Sequence, residues 1–169
     1  MTCIVGLESH GSVLLAADSA VEVGELTVGW PSPKVLAGAG VAVGCAGEAR
    51  ACDVVLAWHG WAEPDDDIGA WLVGHVARRL RRRLAKCGTT SATLDTLVGC
   101  RGELWYLDSA GAAVRCRGRF AVGAGSGVAL GALDEALCHH APSGALQRAL
   151  SAAARWCPSV GPPWVIVEA

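Results

Sequence analysis

The sequence predicts an α+β fold in which two antiparallel sheets pack face to face and a helix pair covers each outer face. Three observations predict it. Strand-like apolar runs come in clusters instead of alternating with helices, which excludes a βαβ order. Helical periodicity occurs as two pairs of segments, at 48–86 and 128–156. Hydrophobic residues make up 52% of the 169 residues and mean hydropathy is +0.37, enough to fill more than one buried layer. That length is expected to form one domain, residues 1–169.

Taken in order, residues 2–8 and 12–18 read as two apolar strands joined by the turn-rich Ser9-His10-Gly11. Residues 19–33 carry Gly24, Gly29, Pro31 and Pro33 and read as a loop with short strand character. A second hairpin pairs 34–38 with 40–46 across Gly38-Ala39-Gly40. A helix is expected over 48–62, with Ala51, Val54, Val55, Trp58 and Trp61 at helical intervals. Pro64 and the acidic run 65–67 then end it and open the next helix, over 67–86. The apolar stripe of that helix is Ile68, Trp71, Leu72, His75, Val76, Leu80 and Leu84. Strands follow at 92–100 and 103–108 around the turn Arg101-Gly102, with one or two short ones in 112–122. Helices at 128–140 and 144–156 and a last strand at 164–167 complete the chain.

Composition excludes several functions. A net charge of −2 gives no electrostatic footprint for nucleic acid or a membrane surface. The N-terminal apolar run is broken by Glu8, Ser9 and His10, unlike a secretory signal. No stretch approaches the ~18 apolar residues of a membrane span. The eight cysteines form no C-x-x-C pair and read as reduced, buried small hydrophobes of a cytoplasmic protein, with an adventitious disulfide or metal site as the alternative. Charged residues reach only 18%, against a typical ~25%, which fits a surface partly hidden in an oligomer. The run Arg78, Arg79, Arg81, Arg82, Arg83 and Lys86 reads either as a solvated helix end or as a docking face for an acidic partner.

The residues that carry chemistry begin at position 2. A threonine exposed by removal of Met1 has a hydroxyl and a free α-amine, a nucleophile and a base on one residue. Asp18 and Lys34 follow at equal steps of 16. A hairpin of equal strands returns its far end beside its start, so Asp18 should lie next to Thr2, and Lys34 should enter the adjacent strand from the same edge. An ammonium there favours the free amine and lowers the effective pKa of the hydroxyl, and the carboxylate holds that ammonium in place.

The stretches T-x-I-V-G at 2–6, L-A-A-D-S at 15–19, P-K-V at 33–35 and A-G-E-A at 46–49 resemble the proteasome β-subunit and its bacterial relative, the HslV-type peptidase. The G-x-G-S-G stretch at 123–127, followed by a helix, extends the likeness over most of the chain. The resemblance implies the four-layer αββα sandwich of N-terminal nucleophile (Ntn) hydrolases. It implies Thr2 as nucleophile, Asp18 and Lys34 as its partners, Gly47 as the oxyanion-hole N–H, and Ser126 near the threonine amine. It places Ala20, Val21, Cys45 and Ala49 along the substrate edge and first pocket, suited to an apolar side chain before the cut. It further implies maturation by loss of Met1, peptide or unfolded-protein substrates, a homo-oligomeric ring, an ATP-dependent unfoldase as partner, and no metal or cofactor.

One departure stands out. Where that family places a carboxylate between the fourth helix and the last strand, this chain has Trp156-Cys157-Pro158-Ser159-Val160-Gly161. A second reading therefore stays open, a non-catalytic structural subunit of a proteasome-like assembly. A third is an Ntn amidase acting on a small molecule.

Overall fold

The computed structural model describes residues 1–29, 32–61, 64, 66–89 and 93–169. Trp30 and Pro31 of the expected loop, Ala62 of the first expected helix, Asp65 of the acidic run and Ala92 of the expected strand 92–100 lie outside the described residues. Strands β1 (Cys3–Ser9) and β2 (Ser12–Ala17) form the central hairpin of one sheet, flanked by β10 (Arg119–Gly123) on one side and β11 (Val165–Glu168) on the other. The second sheet runs β5 (Val35–Gly38), β6 (Val41–Gly47), β7 (Leu94–Cys100), β8 (Glu103–Asp108) and β9 (Ala113–Arg115). Neighbours in both sheets pair antiparallel.

The hairpins close through two-residue loops, His10-Gly11, Ala39-Gly40 and Arg101-Gly102, with positive φ at both positions. That is the type I′ geometry whose twist matches the flanking strands. In the first hairpin, register from Ser9↔Ser12 to Ile4↔Ala17 brings Asp18 back beside Cys3.

Side-chain alternation along the strands produces three apolar layers. On β1, Cys3, Val5 and Leu7 face helices α4 (Ser126–Ala136) and α5 (Pro142–Trp156), and Ile4 faces the other sheet. On β6, Val41, Val43 and Cys45 face a helical layer, and Ala42 and Ala46 face the first sheet. That layer holds α1 (Ala49–Leu56), α2 (Ile68–Trp71) and α3 (Arg78–Lys86). Between the sheets, Ile4, Leu15, Leu97 and Leu104 interlock with small residues. A β-carbon on Gly44 would lie 2.8 Å from Val35 and 3.0 Å from Ile4, so the gap is already filled.

Three elements differ from expectation. Residues 20–29 form a hairpin, β3 (Ala20–Val23) with β4 (Leu26–Gly29), closed by Gly24-Glu25 with φ +62° at Gly24. The helix expected over 48–62 stops at Leu56. Beyond it Trp61 folds back and donates its indole N–H to Val55 O at 3.1 Å, supplying a donor to the helix's last turn. Its ring lies edge-on to Trp58 and Trp71. The second helix begins as expected, with Asp67 accepting the Ala70 N–H at 2.9 Å. Between α2 and α3, however, Leu72–Ala77 is π-helical. The wider turn buries both Val76 and Ala77, one residue more than a regular stripe predicts.

Candidate active site

Asp18 is the centre of the site and is fully buried. Its Oδ1 accepts the Cys3 N–H at 2.8 Å, and its Oδ2 accepts the Ala20 N–H at 3.0 Å and the Gly161 N–H at 3.4 Å. Lys34 Nζ donates to both carboxylate oxygens at 3.0 Å. The same ammonium donates to Ala20 O at 2.5 Å and to Met1 O at 3.3 Å. A buried ion pair is costly unless its remaining donors and acceptors are satisfied, and here each atom has partners. Hairpin register, the start of β5 and the loop before β11 all converge on this carboxylate. The loop is fixed from both sides, because Ser19 N–H donates to Gly161 O at 3.0 Å.

Thr2 precedes β1 and is held through its carbonyl, which accepts the Ala124 N–H at 2.8 Å. The chain passes so close to Gly123 that a β-carbon there would lie 2.0 Å from Thr2 O. At φ +84° the position also favours glycine on backbone grounds. Gly47 is constrained in the same way, at φ +142° with Thr93 O 2.1 Å from a would-be β-carbon. Beneath Thr2, burial and the Asp18 carboxylate push the Cys3 thiol up to about 12, so it stays protonated and takes no part as a nucleophile.

Two cavities meet at Met1, Thr2 and Gly47. One, of about 240 Å³, is bordered by Val21, Lys34, Cys45, Ala49, Cys52 and Leu56. It also has two carboxylates, Glu22 and Asp53. The other, of about 360 Å³, is bordered by Glu48, Thr93, Asp95, Gly123 and Ala124. The Met1 ammonium lies at the mouth of the first, 3.5 Å from Glu22.

The structure thus brings together Thr2, Asp18, Lys34 and Gly47, and it places Val21, Cys45 and Ala49 in one cavity wall. Ala20 departs from expectation. It is buried and gives its backbone, not its side chain, to the site, as donor to Asp18 and acceptor for Lys34. Ser126 borders neither cavity; it opens α4, two residues beyond Ala124. Sequence reasoning missed Glu22, Cys52 and Asp53. The signal for Glu22 was Val-Glu-Val before a Gly-Glu turn. Cys52 and Asp53 depended on which side of α1 borders the cavity.

Among solved structures, BPH of Thiobacillus denitrificans in complex with epoxomicin superposes on this chain with a TM-score of 0.80 at 20% identity, covering 99% of this chain and 97% of that one. HslV of Trypanosoma brucei gives 0.71 at 16% identity, with 98% of both chains covered. The fold is that of HslV. A Gly-1 mutant of Anbu from Hyphomicrobium sp. strain MC1 gives 0.71 at 17% identity and covers 99% of this chain and 80% of that one. Neither the family models nor the curated proteins compared with the sequence give a match. Among the described residues, no helix is long and apolar enough to cross a membrane.

Proposed function

We propose that this chain is an N-terminal threonine endopeptidase of the proteasome/HslV type, folded as one Ntn-hydrolase αββα domain over residues 1–169. The observation that carries the reading is the Lys34 ammonium, paired to buried Asp18 and reaching the Met1 carbonyl at 3.3 Å, beside a cavity that Thr2 borders. Removal of Met1 leaves that donor facing the new α-amine of Thr2. The ammonium disfavours protonation of the amine by like-charge repulsion. The amine, directly or through a water, takes the hydroxyl proton, and Thr2 Oγ attacks the scissile carbonyl. The Gly47 N–H receives the developing oxyanion. The amine then returns the proton to the leaving nitrogen, and water hydrolyses the acyl ester on Thr2.

Substrates are peptides or unfolded proteins. The 240 Å³ cavity takes the side chain before the cut. Its walls of Val21, Cys45, Ala49 and Leu56 suit an aliphatic stem, and Glu22 and Asp53 add a preference for a cationic end. The resemblance to the proteasome family gives Ser126, at the start of α4, the role of a positioning residue for the Thr2 amine. The likeness to HslV supports a homo-oligomeric ring. A cytoplasmic location and an ATP-dependent unfoldase as partner complete the proposed reading.

Replacement Thr2→Ala is expected to abolish cleavage of a fluorogenic peptide and leave the oligomeric state unchanged. Activity near wild type would remove Thr2 from the mechanism. The second reading, a structural subunit, is favoured by the absence of a carboxylate in the 157–161 loop. In this chain the loop meets the site through the Gly161 backbone instead.

A further inference from the structure

We propose that the exposed face of the helical segment from α2 to α3 is a self-association surface, on which a second copy of this chain packs antiparallel about a two-fold axis at Gly74. None of the residues involved borders the two cavities at Thr2, so the proposal does not rest on the reading of that site.

Charge is divided along this one element. Arg78, Arg79, Arg82, Arg83 and Lys86 are all exposed on α3, and none has an ion-pair partner among the described residues. Arg81, on the flank, instead donates to Ala110 O at 3.2 Å. At the other end Asp66 and Asp67 are exposed and likewise have no ion pair among the described residues, and Asp67 gives one oxygen to the start of α2. Between the two ends the exposed residues are small. Ala70 and Gly74 lie on the surface, a β-carbon on Gly74 would meet nothing within 4 Å, and Val73 beside it is 51% exposed. In a regular α-helix each four-residue step overshoots a full turn by about 40°. The wider π turns of Leu72–Ala77 take up that overshoot, so Ala70, Gly74, Arg78 and Arg82 stay on one exposed row.

Position 74 lies eight residues from Asp66 and eight from Arg82. A copy laid antiparallel on this row about a two-fold axis there sets Asp66 of each chain beside Arg82 of the other. The two Gly74 positions then face each other, where the missing side chains let the helices approach closely, and each Val73 is covered. Such a contact is isologous and closes on itself. A parallel copy in register would set the basic rows against each other, and like charges oppose it. A nucleic acid or an anionic membrane would answer only the basic half of the element; a second copy answers both halves. Exposed ion pairs contribute little apiece, so the charges set direction and register, and the contact at Gly74 and Val73 supplies the burial.

The test is oxidative cross-linking of Gly74→Cys at low ionic strength, with the linkage mapped by peptide mass to separate it from the native cysteines. A peptide joined to a second copy of itself through position 74 is expected. Adding Arg82→Glu should lower the yield about tenfold, because both symmetry-related attractions become repulsions. Adding Asp66→Arg should do the same, and the two reversals together should restore the yield. All three positions are exposed, so the variants are expected to fold, which circular dichroism checks. Salt should lower the yield of Gly74→Cys itself. Absence of the linkage would overturn the proposal. So would a yield indifferent to the charge reversals, the mark of random collision. If the linkage is absent and a polyglutamate peptide binds the basic row instead, the row belongs to an acidic partner and the proposal falls. These masses do not depend on peptide cleavage, so an inactive Thr2 leaves the result readable.

Discussion

Each end of the β1–β2 hairpin holds a carboxylate that braces the two sheets, and the two braces end differently. At the turn end, Glu8 accepts the Leu104 N–H at 2.7 Å and the Gly118 N–H at 2.8 Å and pairs with Arg115. Arg115 in turn reaches Glu103 and the carbonyls of Leu104 and Cys116. Its bonds all go to the fold, and neither Glu8 nor Arg115 borders a described cavity. At the open end, Asp18 is bonded just as fully, but its cation also reaches Met1 O and the wall of a cavity. A buried carboxylate with a cation is therefore a brace by default. It becomes a candidate site where the cation has a further donor directed at a residue beside open space.

The largest expected effect separates the two ends. Asp18→Asn leaves Lys34 without its counter-charge at 8% exposure, which is expected to cost about 3–5 kcal/mol. Cleavage should fall at least 100-fold in the molecules that remain folded. Glu8→Gln is expected to cost about 1–3 kcal/mol and leave cleavage per folded molecule near wild type. Denaturant titration combined with peptide cleavage measures both. Equal loss of activity at the two ends would break the distinction.

Glycine substitutions sharpen it. An alanine at Gly123 would clash with the Thr2 carbonyl, which cannot yield without moving the nucleophile. We expect about 1–3 kcal/mol of destabilisation and loss of cleavage together. An alanine at Gly6 meets the mobile ends of Leu104 at 2.7 Å and Leu15 at 3.0 Å, so it should cost stability but not activity.

The turn end should also show in pH. Burial acts to raise the Glu8 carboxyl, but the Leu104 and Gly118 N–H groups and Arg115 outweigh it and hold Glu8 below the usual glutamate value. Its contribution is therefore full above about pH 4.5 and is lost as pH falls through the lower folded value. The stability gap between wild type and Glu8→Gln should close on acidification, as read from denaturation midpoints between about pH 3 and 7. The smallest effect is in specificity. Asp53→Asn should lower kcat/KM for a basic residue before the cut about tenfold relative to an apolar one, roughly 1.4 kcal/mol.

Much of the open end was legible in the sequence because hairpin register is a local property. Two strands of equal length around His10-Gly11 must return Asp18 to Thr2, whatever packs on them. The β3–β4 hairpin was legible too, in Val21, Val23, Thr27 and Val28 around Gly24-Glu25, but Pro31 and Pro33 weighted the segment towards a loop. The Glu8 brace was not legible, since its partners lie 96 to 110 residues away on other strands. The same holds for Cys52 and Asp53. Periodicity locates the buried stripe of α1, but which flank of the helix borders Thr2 depends on how the helix sits on β6.

The most direct test of the central claim is the intact mass of the purified protein before and after epoxomicin, with the adduct mapped by peptide. Loss of Met1 and a single adduct, on Thr2, are expected, the adduct being absent in Asp18→Asn and present in Glu8→Gln. Retained Met1, or a free Thr2 that does not react, would contradict it and leave the structural subunit as the function of this chain.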